Sequence, residues 1–124
     1  REIPTYVAVV EENERTARLE ENGVHILVCG EKNGRVDLAD LMQQLGALGV
    51  NGILLEGGSA LAFSALREGV VHRVQAYVAP KLIGGADAKP PVGGAGFDRM
   101  ADALALKNVR CTPLGEDILI EGRL

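Results

Sequence analysis

Ile53-Leu54-Leu55-Glu56-Gly57-Gly58-Ser59-Ala60-Leu61 is the stretch from which the architecture can be read. An apolar run that ends in a carboxylate and two glycines, with small helix-forming residues directly behind it, reads as a buried strand turning at once into a helix. The turn has chemistry as well as shape. Two glycines allow a backbone or a ligand to approach closely, and the first helical turn offers unpaired N–H groups at the positive end of the helix dipole. Ligands of open α/β sheets sit at the carboxyl ends of strands, where this turn falls. The residues therefore read either as an anion site or as a tight strand-to-helix turn with Ser59 as a plain N-cap. Neither GxGxxG nor GxxxxGK[ST] occurs, so neither common nucleotide signature accounts for it.

Working outward, Tyr6 to Val10 is a β-branched run read as a strand, followed by an acidic stretch, Glu11 to Asn22, read as a short helix or loop that stops at Gly23. Val24 to Cys29 is a nearly continuous apolar run between glycines, the pattern of a central strand covered on both faces. Leu38, Leu41, Met42, Leu45 and Leu48 recur at helical steps, with Asp37 as N-cap and Gly49 as stop. After the turn, Leu61, Phe63, Ala65 and Leu66 form a second helix that Gly69 closes, and Val74, Ala76 and Val78 alternate as a half-buried strand. Alternation of strand and helix from Val24 to Ala79 predicts a parallel arrangement. Ile83 to Phe97, rich in glycine and proline, reads as a loop. Leu104 to Cys111, a turn near Pro113 to Glu116, and Asp117 to Glu121 read as an antiparallel hairpin. The expected class is α/β, a mixed and mostly parallel sheet flanked by helices with a C-terminal antiparallel hairpin.

The 124 residues are 24% charged and 47% hydrophobic with a formal net charge of −4, which predicts one domain over 1–124. Two Tyr, two Phe and no Trp require an aliphatic core. No apolar run approaches the ~20 residues of a membrane span, and the acidic balance with scattered cations argues against nucleic acid. Cys29 and Cys111 lack CxxC spacing and neither His25 nor His72 has a nearby ligand partner, which makes a bound metal improbable. Both thiols are expected to be reduced and buried in a cytoplasmic protein.

Among side chains near the ligand edge, Glu56 is placed to accept hydrogen bonds from sugar hydroxyls, or is a solvated strand end. Lys81 faces a phosphate or is a surface lysine. The loop from Gly84 to Phe97 closes over a ligand or is a passive connection. His25 and His72 are read as structural.

Four segments together carry a family resemblance: Val50 to Leu61, Gly69-Val70-Val71-His72-Arg73-Val74, Tyr77 to Gly85 with its Ala79-Pro80-Lys81 core, and Gly94-Ala95-Gly96-Phe97. In order and spacing they resemble the reductase domain of the RibD family of riboflavin biosynthesis proteins, from about Tyr6 to the end. The resemblance implies a dihydrofolate-reductase-like fold and NADPH-dependent reduction of the ribosyl group of 5-amino-6-(5-phosphoribosylamino)uracil to ribityl. It places Glu56 on the substrate, and Gly58, Ser59, Ala60, Leu61, Ala62, Phe63 and Ser64 along the cofactor. The implied step is hydride transfer from the nicotinamide to C1′ of the ring-opened, imine-like sugar. The family's zinc-binding deaminase pattern is absent, and the chain matches the second half of a reductase domain. A homo-oligomer is therefore expected, and the alternative function is a non-catalytic nucleotide- or phosphate-binding or oligomerisation module.

Overall fold

A computed structural model describes residues 3–124; Arg1 and Glu2, which the expected 1–124 domain includes, lie outside the described residues. The chain divides into two compact units, Arg1–Leu54 and Leu55–Leu124.

In the first unit, β1 (Tyr6–Val9), α1 (Glu14–Glu21) and β2 (His25–Val28) form a β-α-β unit, with β1 and β2 parallel and Tyr6 opposite His25. The acidic stretch is a helix because Asn13 caps it: its side-chain oxygen accepts the Arg15 and Thr16 amides, and the Thr16 hydroxyl returns to the Asn13 amide at 2.9 Å. A two-stranded antiparallel hairpin, β3 (Glu31–Lys32) and β4 (Arg35–Val36), follows. It turns on Asn33 and Gly34, both at positive φ, the pair that a two-residue hairpin turn favours. Asp37 then caps α2 (Leu38–Ala47), as its sequence position predicts, by accepting the Ala39 and Asp40 amides.

In the second unit α3 (Ser59–Arg67) precedes β5 (Arg73–Val78), and β6 (Lys107–Leu114) and β7 (Asp117–Arg123) complete an antiparallel sheet in the order β5-β7-β6. The hairpin turn lies at Gly115-Glu116, and β6 runs on through Pro113, whose lack of an N–H is tolerated on a strand paired only with β7 among the described residues. Gly122 sits under Leu106, where a Cβ would come within 2.8 Å of the Leu106 Cβ, so this contact requires glycine. Leu119, Phe63 and Ala65 are the buried apolar residues of this unit.

Three expectations change. Ile53, Leu54 and Leu55 form no strand: they join no ladder among the described residues and are 52%, 73% and 42% exposed. An apolar run becomes a strand only where a neighbouring backbone pairs with it, and hydropathy does not report that pairing. Likewise β2 is not central, since it pairs only with β1 among the described residues and leaves Val28 exposed. The parallel part of the mixed sheet system is thus the β1–β2 ladder, and the remaining pairings are antiparallel. Finally, Cys29 is buried but Cys111 is exposed, because β6 is an outer strand.

Candidate functional site

The Gly57-Gly58 turn reaches α3 with both residues at positive φ, 75° and 78°. Glycine is needed to turn the chain into the helix at this angle. Gly58 is itself the N-cap and no side chain caps the helix; the first helical bond runs from the Ala62 amide to the Gly58 carbonyl at 2.9 Å. Ser59 is consequently the first helical residue and not its cap. The amides of Ser59, Ala60 and Leu61 precede that first bond, so they have no acceptor within the helix.

Facing this turn is the loop. Gly57, Gly58 and Ser59 line one side of a cleft of about 580 Å³, and Lys89, Pro90 and Pro91 line the other. The loop is held there by its glycines: the Gly93 amide donates to the Ser59 carbonyl at 3.0 Å, and Gly94 lies against the Phe63 ring. Phe97 meets Phe63 edge to face with centroids 5.6 Å apart.

The sequence-predicted residues are distributed as follows. Glu56 is exposed immediately before the turn. Gly58 and Ser59 line the cleft, Ala60, Ala62 and Ser64 are half-buried along α3, and Leu61 is exposed. Phe63 turns its ring toward the loop and is 6% exposed. Lys81 is exposed and does not line the cleft; the cation that does is Lys89. Sequence reasoning passed over Lys89, whose only signal is its place in Ala88-Lys89-Pro90-Pro91 inside the glycine-rich loop. His25 stacks on Tyr6 at 5.0 Å, and the His72 carbonyl accepts the Leu124 amide. Among the described residues no group of three or more His, Cys, Asp or Glu side chains is placed to hold a metal.

The helix start without a side-chain cap and a lysine among the residues lining the same cleft bring unpaired amides and positive charge to one place. The model of the RibD C-terminal domain matches residues 1–120. The chain belongs to the RibD C-terminal domain family.

Within that family, it is 45% identical over 122 residues to the riboflavin biosynthesis protein RibD of Actinobacillus pleuropneumoniae, covering 98% of this chain and 32% of that protein. It is 41% identical over 122 residues to the 2,5-diamino-6-ribosylamino-4(3H)-pyrimidinone 5′-phosphate reductase of Methanothermobacter thermautotrophicus, covering 97% of this chain and 55% of the relative. The chain therefore spans about a third of one relative and about half of the other. A solved structure of Acinetobacter baumannii RibD superposes with a TM-score of 0.78 at 27% identity, over 95% of this chain and 30% of that one. The fold is accordingly the mixed α/β, dihydrofolate-reductase-like class with a C-terminal antiparallel sheet. No helix among the described residues is long and apolar enough to cross a membrane.

Proposed function

We propose that this chain forms the cofactor-holding portion of a reductase of riboflavin biosynthesis, which reduces the ribosyl group of a phosphorylated ribosylaminopyrimidine to ribityl with NADPH. The observation that carries the proposal is the uncapped start of α3 behind Gly57-Gly58, faced across the cleft by Lys89. These groups fit a nucleotide diphosphate. The first-turn amides donate, the helix dipole and the Lys89 ammonium supply positive charge, and open space at Gly57, with no heavy atom within 4 Å of a built Cβ, admits the ligand. When bound, the cofactor supplies a hydride.

The chain's own residues do the rest. Gly58, Ser59 and Lys89 bind the diphosphate, Ala60, Leu61, Ala62 and Ser64 follow it along α3 while the buried Phe63 anchors the loop, and the exposed Glu56 orients the substrate sugar by accepting its hydroxyls. The relatives' names support both the substrate class and the reduction. We place the enzyme in the cytoplasm, where two free thiols are at home, and as a homo-oligomer.

The test measures NADPH binding by nicotinamide fluorescence, and turnover with the phosphoribosylaminopyrimidine, in the full chain. Gly58→Val fills the turn with a branched side chain, and Lys89→Met removes the charge without touching the backbone. Both are expected to weaken NADPH binding with the helical circular dichroism retained. Glu56→Gln is expected to lower kcat/KM about ten- to a hundred-fold, because hydrogen bonds to charged groups are worth about 1.5–3 kcal/mol, while NADPH affinity stays near wild type. Unchanged NADPH binding in folded Gly58→Val and Lys89→Met rejects the cofactor site. Binding without any turnover identifies a non-catalytic binding module instead.

A further inference from the structure

The loop between β5 and β6 lacks regular structure from residue 79 to residue 99, yet one part of it is closely fitted to α3. At Gly93 the backbone amide donates to the Ser59 carbonyl, and a built Cβ would stand 2.8 Å from the Ser59 Oγ. At Gly94 a Cβ would stand 2.4 Å from the Phe63 Cδ1, inside any permitted contact, and the backbone there is at φ +77°. Three residues on, Phe97 closes edge to face on the same ring. Phe63 is thus sandwiched between the loop backbone and a second aromatic, which accounts for its 6% exposure in a unit with few buried residues. The residues that wall the cleft opposite the turn, Lys89, Pro90 and Pro91, stand just ahead of this contact in the chain, and the two prolines stiffen the span between Lys89 and the contact.

We infer that Gly94 and Phe97 are positioning residues of the cofactor cleft: by clasping Phe63 they fix the loop so that Lys89 faces the first turn of α3. The inference rests on the cofactor reading of the cleft. Neither residue touches the anion; each acts through Phe63 and the loop backbone. Without the clasp, an irregular loop has to be ordered when the ligand binds, and that cost is subtracted from affinity. With it, the ammonium is held in place beforehand. The ring pair also explains why a loop so rich in glycine is held against the helix: edge-to-face aromatic contacts are favourable beyond the area they bury.

The clasp can be read without cofactor. Amide exchange in the full chain is expected to show Gly93 protected, and Phe97→Ala to accelerate its exchange while the α3 amides from Phe63 onward stay protected. Phe97→Ala and Gly94→Ala are then expected to raise the Kd for NADPH about tenfold, the equivalent of ordering one or two side chains on binding. Phe97→Tyr, which keeps the ring, restores both readouts. Lys89→Met weakens NADPH binding and flattens its salt dependence but leaves Gly93 protected, a separation that a purely structural role would not produce. A Gly93 amide that stays protected in Phe97→Ala overturns the clasp. A loosened loop with unchanged NADPH affinity, in a chain where Gly58→Val abolishes binding, overturns the positioning role and leaves the cofactor site standing. If Gly58→Val also binds NADPH normally, the cofactor reading fails and this inference fails with it.

Discussion

Asp40 in α2 accepts the backbone amide of Gly30 at 2.7 Å, joining the helix to the residue just beyond the end of β2. The same carboxylate oxygen accepts from Gln44, one turn further along the helix, at 3.2 Å, and Gln44 in turn donates to the Val28 carbonyl at 2.8 Å. Two side chains of one helix therefore satisfy two backbone groups at the strand's carboxyl end, where the ladder to β1 stops. The backbone itself adds a third tie, from the Asp37 amide to the Gly30 carbonyl at 2.7 Å. The β3–β4 hairpin leaves and returns between these two residues, so its base is closed by the helix cap.

Asp40→Ala is expected to lower stability by about 1.5 kcal/mol, the low end of the range for hydrogen bonds to a charged group, because the site is only half-buried. Urea unfolding followed by circular dichroism gives the value. Asp40→Asn retains an acceptor oxygen and is expected to recover part of the loss. Equal stability of Asp40→Ala and the parent would show that water replaces the carboxylate at no cost.

The two thiols should differ in reactivity. Cys29 is 4% exposed, and burial, then the nearby Asp40 and Asp37 carboxylates, push its pKa up, so it stays a neutral thiol. Cys111 stands exposed on β6. Iodoacetamide at neutral pH is expected to label Cys111 first and Cys29 only on unfolding, as read by mass spectrometry of the two peptides. Simultaneous labelling would mean that the end of β2 opens readily.

What the sequence makes legible follows from which interactions are local. Asp37 as a cap and Gly49 as a stop were readable because capping involves neighbours: Gly49 and Val50 donate back to Gly46 and Leu45 in the αL-terminated pattern, and Gly69 and Val70 do the same for α3. The Asn33-Gly34 turn is equally local, but its strands are two residues each, too short to show a period of alternation. Ile53 to Leu55 reads as a strand and forms none, because pairing is a property of the neighbouring backbone and not of the run itself. The site divides in the same way. The helix start behind Gly57-Gly58 follows from adjacent residues, whereas Lys89 faces it only through contacts of Gly93 with Ser59 and of Gly94 and Phe97 with Phe63, separations in the chain that no spacing rule spans.

Glu121 supplies the acid-sensitive contact of the antiparallel sheet. It accepts from Gln75, its partner in the β5–β7 register, at 2.8 Å and pairs with Arg73, and these contacts lower its pKa, the Gln75 hydrogen bond first. A carboxylate with a lowered folded pKa stabilises the fold above its unfolded value of about 4.3, and the contribution is lost as pH falls through the folded value. Stability of the parent and Glu121→Gln is therefore expected to differ at about pH 7 and to converge in acid, once the pH has fallen through the lowered folded pKa. A difference that persists unchanged into acid would assign the effect to packing of the side chain and not to its charge.

The last expectation concerns association. Large apolar side chains stand exposed on the second unit: Tyr77 is 65% exposed, and on one face of the antiparallel sheet Val78 stands beside Ile118, each 45% exposed. The strands β5 and β6 each pair on one side only among the described residues, which leaves two backbone edges open to a further strand. Exposed apolar side chains beside open strand edges are the features that recruit a second copy or another strand. The 124-residue chain is accordingly expected to self-associate, with a sedimentation coefficient that rises with concentration. Replacing Tyr77 and Ile118 by Lys and Glu, respectively, should shift the equilibrium toward monomer, because each change places charge on an exposed strand position. A parent chain that sediments as a monomer across the concentration range, with the same stability as the charged variant, would show that these side chains need no partner to cover them.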